Sequence, residues 1–187
     1  MTGKRLEEVM PPMVAPNDWD LHGVAVLALG DDDRIVMIRE LTDRPSAGKY
    51  AGMASVPMGE IRLGETAEQA AVREFGEETG LGVALGYPIG FFEIQEPGRN
   101  RVGVWAFFGR LTGEKLIRDG GVSEPFPLSE RDFLGMNPFD LRPLNREIYA
   151  QWKLLSELLK SGRSTWWIRT YAVYHAPAKA RQWLARE

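Results

Sequence analysis

The first sustained apolar run, Gly23-Val-Ala-Val-Leu-Ala-Leu29, ends at Gly30-Asp-Asp-Asp33, and a second, Ile35-Val-Met-Ile38, follows at once. Two β-rich runs across a Gly/Asp turn predict a hairpin. Residues 42–52 are dense in Gly, Pro, Ser and Asp and read as a loop. Ala54-Ser-Val-Pro-Met58 reads as a brief extended piece. The clearest helix spans 66–79: Ala67, Ala70, Ala71 and Val72 fit it, Glu65 or Thr66 opens it, and Gly80 stands where a left-handed cap is commonly Gly. Residues 83–94 and 102–111 predict two more strands joined by the turn Glu96-Pro-Gly-Arg-Asn100. Residues 120–135 read mostly as loop. A second helix is expected over 143–160, with apolar positions at 144, 148, 152, 155 and 159.

The two ends break this pattern. Residues 1–20 hold prolines at 11, 12 and 16 and little periodicity, and read as an arm. The tail from 164 carries Trp166, Trp167, Tyr171, Tyr174 and Trp183, and is expected to form one more strand and a short helix. The expected organisation is an arm over 1–20, a domain over 21–162, and an extension over 163–187 packed on the domain or on a partner. Strands first, one helix in the middle and one late predict a mixed α/β sandwich, without the regular alternation of a doubly wound sheet.

Composition narrows the function classes. The chain has no cysteine, which excludes disulfides, thiolate zinc sites and cysteine nucleophiles. A net charge of -3 lacks the basic footprint of a nucleic-acid binder. The first residues, MTGKRLEEVM, lack the apolar core of a secretory signal. No stretch approaches the ~18 apolar residues of a membrane span. The expectation is a soluble cytoplasmic protein with neither nucleic-acid nor membrane partners.

The chemistry concentrates in 59–81. Residues three and four apart on a helix are neighbours, so Glu74, Glu77 and Glu78 share a face. Each like-charge pair at that spacing costs a few tenths of a kcal/mol. They also sit near the helix C-terminus, where the dipole disfavours anions. A divalent cation reverses both penalties, and hard oxygen ligands suit Mg²⁺ or Mn²⁺. Ala67, Ala70 and Ala71 lie on the glutamate face and leave room for substrate or a close strand. Val72 and Phe75 are expected on the opposite side, anchoring the helix in the core. Arg73 is positioned to hold a carboxylate. As a bare charge run, the cluster reads equally as a solvated acidic face.

The exact spacing resembles the Nudix box, G-x5-E-x7-R-E-U-x-E-E-x-G-U. Gly59, Glu65, Arg73, Glu74, Phe75, Glu77, Glu78, Gly80 and Leu81 fill its constrained positions, with Phe75 where Leu, Ile or Val is commoner. The resemblance implies a Nudix-type α/β/α sandwich with a mixed β-sheet and a catalytic loop-helix-loop. It implies Mg²⁺-dependent hydrolysis of a nucleoside diphosphate linked to another moiety, with Mn²⁺ as a second metal. Glu74, Glu77 and Glu78 look like metal ligands, Arg73 like the residue orienting them, and Glu65 like a support or further ligand. Glu124, ahead of Glu130, is the loop candidate for a general base.

The box leaves the substrate open. Pro97, 16 residues after Leu81 and followed by Gly98, resembles the subgroup that cleaves ADP-ribose and nucleotide sugars. Arg99, Asn100 and Arg101 follow in place of that subgroup's acidic residue. Pro97-Gly98 also reads as a plain hairpin turn. Arg39, Arg99 and Arg101 are candidate phosphate or ribose contacts. Trp105, Phe91 and Phe92 are expected in the core, and His22 and His175 as ordinary structural histidines. The leading expectation is ADP-ribose or a related nucleotide sugar. The alternatives are a nucleoside triphosphate pyrophosphatase that clears the nucleotide pool and a non-catalytic nucleotide-sugar sensor. A homodimer is a further expectation.

Overall fold

A computed structural model describes residues 21–45, 48–94, 101–118 and 121–161. The element order is β1 (Leu21–Leu29), β2 (Ile35–Arg39), β3 (Ala54–Ser55), β4 (Met58–Glu60), α1 (Ala67–Thr79), β5 (Leu81–Ile94), β6 (Val102–Lys115), β7 (Phe126–Leu128), α2 (Glu130–Gly135) and α3 (Asn145–Lys160). A 3₁₀ turn at Pro138–Asp140 precedes α3.

The central strand is β1. It runs parallel to β6 along its whole length, from Leu21↔Val102 to Leu29↔Arg110. Its other edge is shared: β4 takes Gly23 to Ala25, and β2 joins only at Leu29↔Ile35. The predicted hairpin is therefore present but brief, closed by Gly30 N–H donating to Arg34 O at 2.9 Å. The strands then separate, and the gap admits β4, which carries Gly59 to the mouth of the site. Strands β5 and β6 pair antiparallel from Ile94↔Val102 to Leu81↔Lys115, further than the apolar pattern extends.

Strand alternation divides the core in two. Val24, Val26 and Ala28 face α1, where Ala67, Ala70, Ala71 and Phe75 meet Val83, Trp105 and Phe107. Ala25, Leu27 and Leu29 face α2 and α3, where Phe133, Ile148, Tyr149 and Leu155 meet Ile89 and Phe92. This is an α/β/α sandwich on a mixed sheet. Phe75 is fully buried, and its truncation to Ala costs about 3–5 kcal/mol.

Three expectations change. Val72 does not anchor α1: it is 42% exposed, and Phe75 is buried on the alanine side. Three closely spaced alanines let the helix sit low on the sheet, so the buried face rotates towards them. Residues 120–135 are not mostly loop. Phe126–Leu128 pairs with Ile35–Met37, and Ser129 caps α2 by accepting from Asp132 N–H at 3.1 Å. Strand pairing and a cap supply what the short apolar pattern does not show. Finally, α3 begins at Asn145 because Leu144 stands at φ 72. The arm and the aromatic tail lie outside the described residues.

Candidate functional site

The site is built on the last turns of α1. Thr66 and Gln69 form a reciprocal capping box at its start. Gly80 closes its end at φ 68, donating to Gly76 O, a conformation that favours glycine. Helix ends fixed in this way aim Glu74, Glu77 and Glu78 into one cleft of about 410 Å³.

Arg73 organises the acidic rim. Its Nε and Nη2 donate to the two Glu65 oxygens at 2.5 and 2.7 Å. Its Nη1 donates to Glu74 at 2.5 Å and to Glu77 at 3.0 Å, and Nη2 also reaches the Glu60 carbonyl at 2.9 Å. A planar guanidinium fork can hold three carboxylates in this way, where a lysine cannot. The Arg73 hydrogen bonds, with the Arg62 backbone N–H, hold the Glu65 carboxyl down at about 2. Arg62 adds a second cation, 3.1 Å from Glu77.

Glu78 behaves differently. Burial pushes its carboxyl up to about 7, against the opposing pull of Lys49 and the Met58 N–H. That N–H donates to Glu78 Oε2 at 2.9 Å. Such perturbation in a cleft is a mark of functional carboxylates.

Gly59 completes the loop before the helix. A Cβ there would lie 1.9 Å from the Glu74 carboxyl carbon. The segment leading to Gly59 is tied to α3 by Asn145, whose Oδ1 accepts from Val56 N–H at 2.7 Å.

The remaining candidates fall elsewhere. Arg39 sits away from the cleft walls: its N–H donates to Ser123 Oγ at 2.9 Å, its Nη1 to Gly52 O at 3.0 Å, and its guanidinium lies over the Phe126 ring. Arg101 precedes β6 and is not among the lining residues. Glu124 is exposed and bonded to Arg118, also off the cleft. Glu130 pairs with Lys153 at 2.8 Å. Pro97, Gly98, Arg99 and Asn100 lie outside the described residues. Trp105 and Phe92 are buried, as expected. His22 lines the cleft, with Nδ1 buried and without a partner.

Sequence reasoning missed the cleft's other charged residues, Glu40, Arg44, Lys49, Glu60, Arg62 and Arg142. Glu40 and Arg142 are 102 positions apart yet bonded at 2.9 Å. No local spacing marks such a pair.

Among the described residues, no three acidic or histidine side chains close on a single point at metal-ligand distance. Arg73 and Arg62 engage Glu74 and Glu77, and Glu78 turns to the Met58 N–H. The donor chemistry fits a hard divalent cation: three carboxylates from one helix face one cleft.

The Nudix domain family matches residues 21–152. The chain belongs to the Nudix family. Among curated proteins, this Nudix chain is 31% identical over 116 residues to the 8-oxo-dGTP diphosphatase of Escherichia coli (strain K12), covering 62% of this chain and 85% of that protein. It is 34% identical over 99 residues to a Bacillus subtilis (strain 168) protein provisionally named an 8-oxo-dGTP diphosphatase. That match spans 53% of this chain and only 59% of the relative's length. Among solved structures, a Nudix hydrolase from Nitrosomonas europaea superposes with TM-score 0.62 at 19% identity, covering 72% of this chain and 88% of its own. The Nudix domain of Shewanella oneidensis NrtR, complexed with ADP ribose, gives TM-score 0.57 at 15% identity, covering 82% and 98%. Likeness at these identities shows the fold.

Proposed function

We propose that this chain hydrolyses a phosphoanhydride bond of a nucleoside diphosphate derivative, with a divalent cation, Mg²⁺ first and Mn²⁺ second. The observation that carries this reading is the mixed lining of one cleft. Glu74, Glu77 and Glu78 face the same space as Arg44, Lys49, Arg62 and Arg142. A cleft with both signs of charge suits a cation–polyphosphate complex, whose two parts need opposite partners.

Glu74, Glu77 and Glu78 are the proposed ligands, and Arg73 with Glu65 the residues that keep them in place. A divalent cation held there neutralises phosphate charge and makes a bound water more acidic. The chain's own work is positioning and charge complementarity, which dominate phosphoryl transfer. The water's proton needs a carboxylate acceptor. Glu124 would have to leave Arg118 to serve, so the cleft carboxylates are better placed.

For the moiety attached, the sequence relatives favour a nucleoside triphosphate, cleaved by one water to a nucleoside monophosphate and inorganic pyrophosphate. The ADP-ribose reading is supported by the Pro97-Gly98 spacing and by likeness to ADP-ribose-binding neighbours. Incubation with Mg²⁺ and a panel of both substrate types separates the two. Pyrophosphate from the triphosphates is expected. AMP from ADP-ribose with the triphosphates untouched overturns the preference. No turnover of any phosphoanhydride, with the fold intact, favours the nucleotide-sugar sensor.

A further inference from the structure

The cleft holds a second set of charges outside the acidic box. Glu40 follows β2 and is 3% exposed. Its Oε1 accepts a hydrogen bond from Arg142 Nη1 at 2.9 Å. Lys49 Nζ lies 3.6 Å from the same oxygen. All three line the cleft with Glu74, Glu77 and Glu78.

The two separations differ in kind. Arg142 is at hydrogen-bonding distance, whereas Lys49 is beyond it and held by attraction alone. Among the described residues, none accepts a hydrogen bond from the Lys49 ammonium. Its backbone is nevertheless fixed: Lys49 and Arg44 exchange N–H···O bonds of 3.1 and 2.8 Å. Arg142 neutralises Glu40, and Glu78, the other carboxylate acting on Lys49, is a proposed metal ligand, so with a cation bound the ammonium has no carboxylate of its own. Burial lowers the Lys49 pKa, with Arg142 adding to the effect. A largely buried ammonium with three unused donors is costly unless an anion completes it.

We propose that Lys49 binds the terminal phosphate of the substrate's polyphosphate chain, and that Glu40 and Arg142 are the pair positioning it. The proposal rests on the hydrolase reading above and narrows it to triphosphates. A terminal phosphate group carries close to two negative charges and three acceptor oxygens near neutral pH. Both phosphates of a nucleotide sugar are bridged and singly charged. A lone ammonium with three free donors complements the former better.

Lys49→Met removes the charge at nearly constant bulk, and Lys49→Arg retains it. Inorganic tripolyphosphate is the probe, titrated calorimetrically into each folded protein. Steady-state kinetics with a nucleoside triphosphate and with ADP-ribose run alongside. Native protein is expected to bind tripolyphosphate, Lys49→Met about tenfold or more weakly, and Lys49→Arg close to native. In the kinetics, Lys49→Met raises KM for the triphosphate by a similar factor, with kcat changed less and KM for ADP-ribose unchanged. If Lys49→Met does not fold, Lys49→Gln takes its place. Equal tripolyphosphate affinity in native and neutral variants overturns the subsite, as does a native protein that binds none. A proportionate fall in kcat for both substrates at constant KM also overturns it. If no substrate is hydrolysed by native protein, the hydrolase reading fails, while the tripolyphosphate titration still decides the subsite.

Discussion

The carboxyl carbon of Glu74 occupies space that any side chain at position 59 would need, 1.9 Å from where a Cβ on Gly59 would stand. The obstructing atoms are the far end of a flexible side chain, so a substitution moves the carboxylate before it unfolds the protein. Gly59→Ala is therefore expected to keep its melting temperature within a few degrees. Turnover should fall by about 100-fold, the penalty of misplacing a catalytic group by roughly 1 Å. Equal turnover in the two proteins would show that the position of Glu74 is unimportant.

Arg73 holds Glu65, Glu74 and Glu77 together. Arg73→Ala leaves three acidic groups facing one another with only Arg62, on Glu77, as a cation. The metal-free variant is expected to lose about 1–3 kcal/mol, the range for losing charged hydrogen bonds. Mg²⁺ should restore part of that loss. Denaturant titration with and without Mg²⁺ checks this; a deficit that Mg²⁺ leaves unchanged would separate Arg73 from the metal site. Arg73→Lys should rescue poorly, because a single ammonium lacks the fork that spans three partners.

Glu40 and Arg142 form a buried pair, 3% and 9% exposed. Removing one partner strands the other charge. Glu40→Gln is expected to destabilise by about 3–5 kcal/mol in denaturant unfolding. A loss under about 1 kcal/mol, the value of an exposed pair, would mean that water reaches Arg142.

Glu130 bonds to Lys153, and those hydrogen bonds hold its carboxyl below the usual range. A carboxylate lowered on folding contributes stability that is fully present above its unfolded pKa of about 4.3. The contribution is lost as pH falls through the lower folded value. The pair is half exposed on the Glu130 side, so the effect is about 0.5 kcal/mol or less. Glu130→Gln should melt slightly below native at pH 7 and converge with it near pH 2, with turnover unchanged. A large loss of turnover would make Glu130 a catalytic group instead of a staple.

The acidic face proposed to hold the metal was legible in the sequence because its determinants are local. Glu74, Glu77 and Glu78 share a face through helical spacing alone. Thr66, Gln69 and Gly80 fix where that helix begins and ends, and each acts within four residues of its partner. The unbroken apolar run Gly23–Leu29 is buried throughout in β1, as a strand covered on both faces requires. Elements whose stability comes from distant partners were less visible. Phe126–Leu128 is a strand because β2 offers it an edge, and Val72 faces solvent because three alanines let α1 settle on its other side. The second half of the cleft belongs to this class. Glu40, Lys49 and Arg142 come from three separate segments, and their charges matter only once the fold buries them together. Local hydrogen bonding and periodicity are written in short stretches of sequence, whereas desolvation and long-range pairing are properties of the assembled core. Helical spacing is enough to mark the acidic face, whereas the charges opposite it become a set only when folding buries Glu40, Lys49 and Arg142 in one cleft.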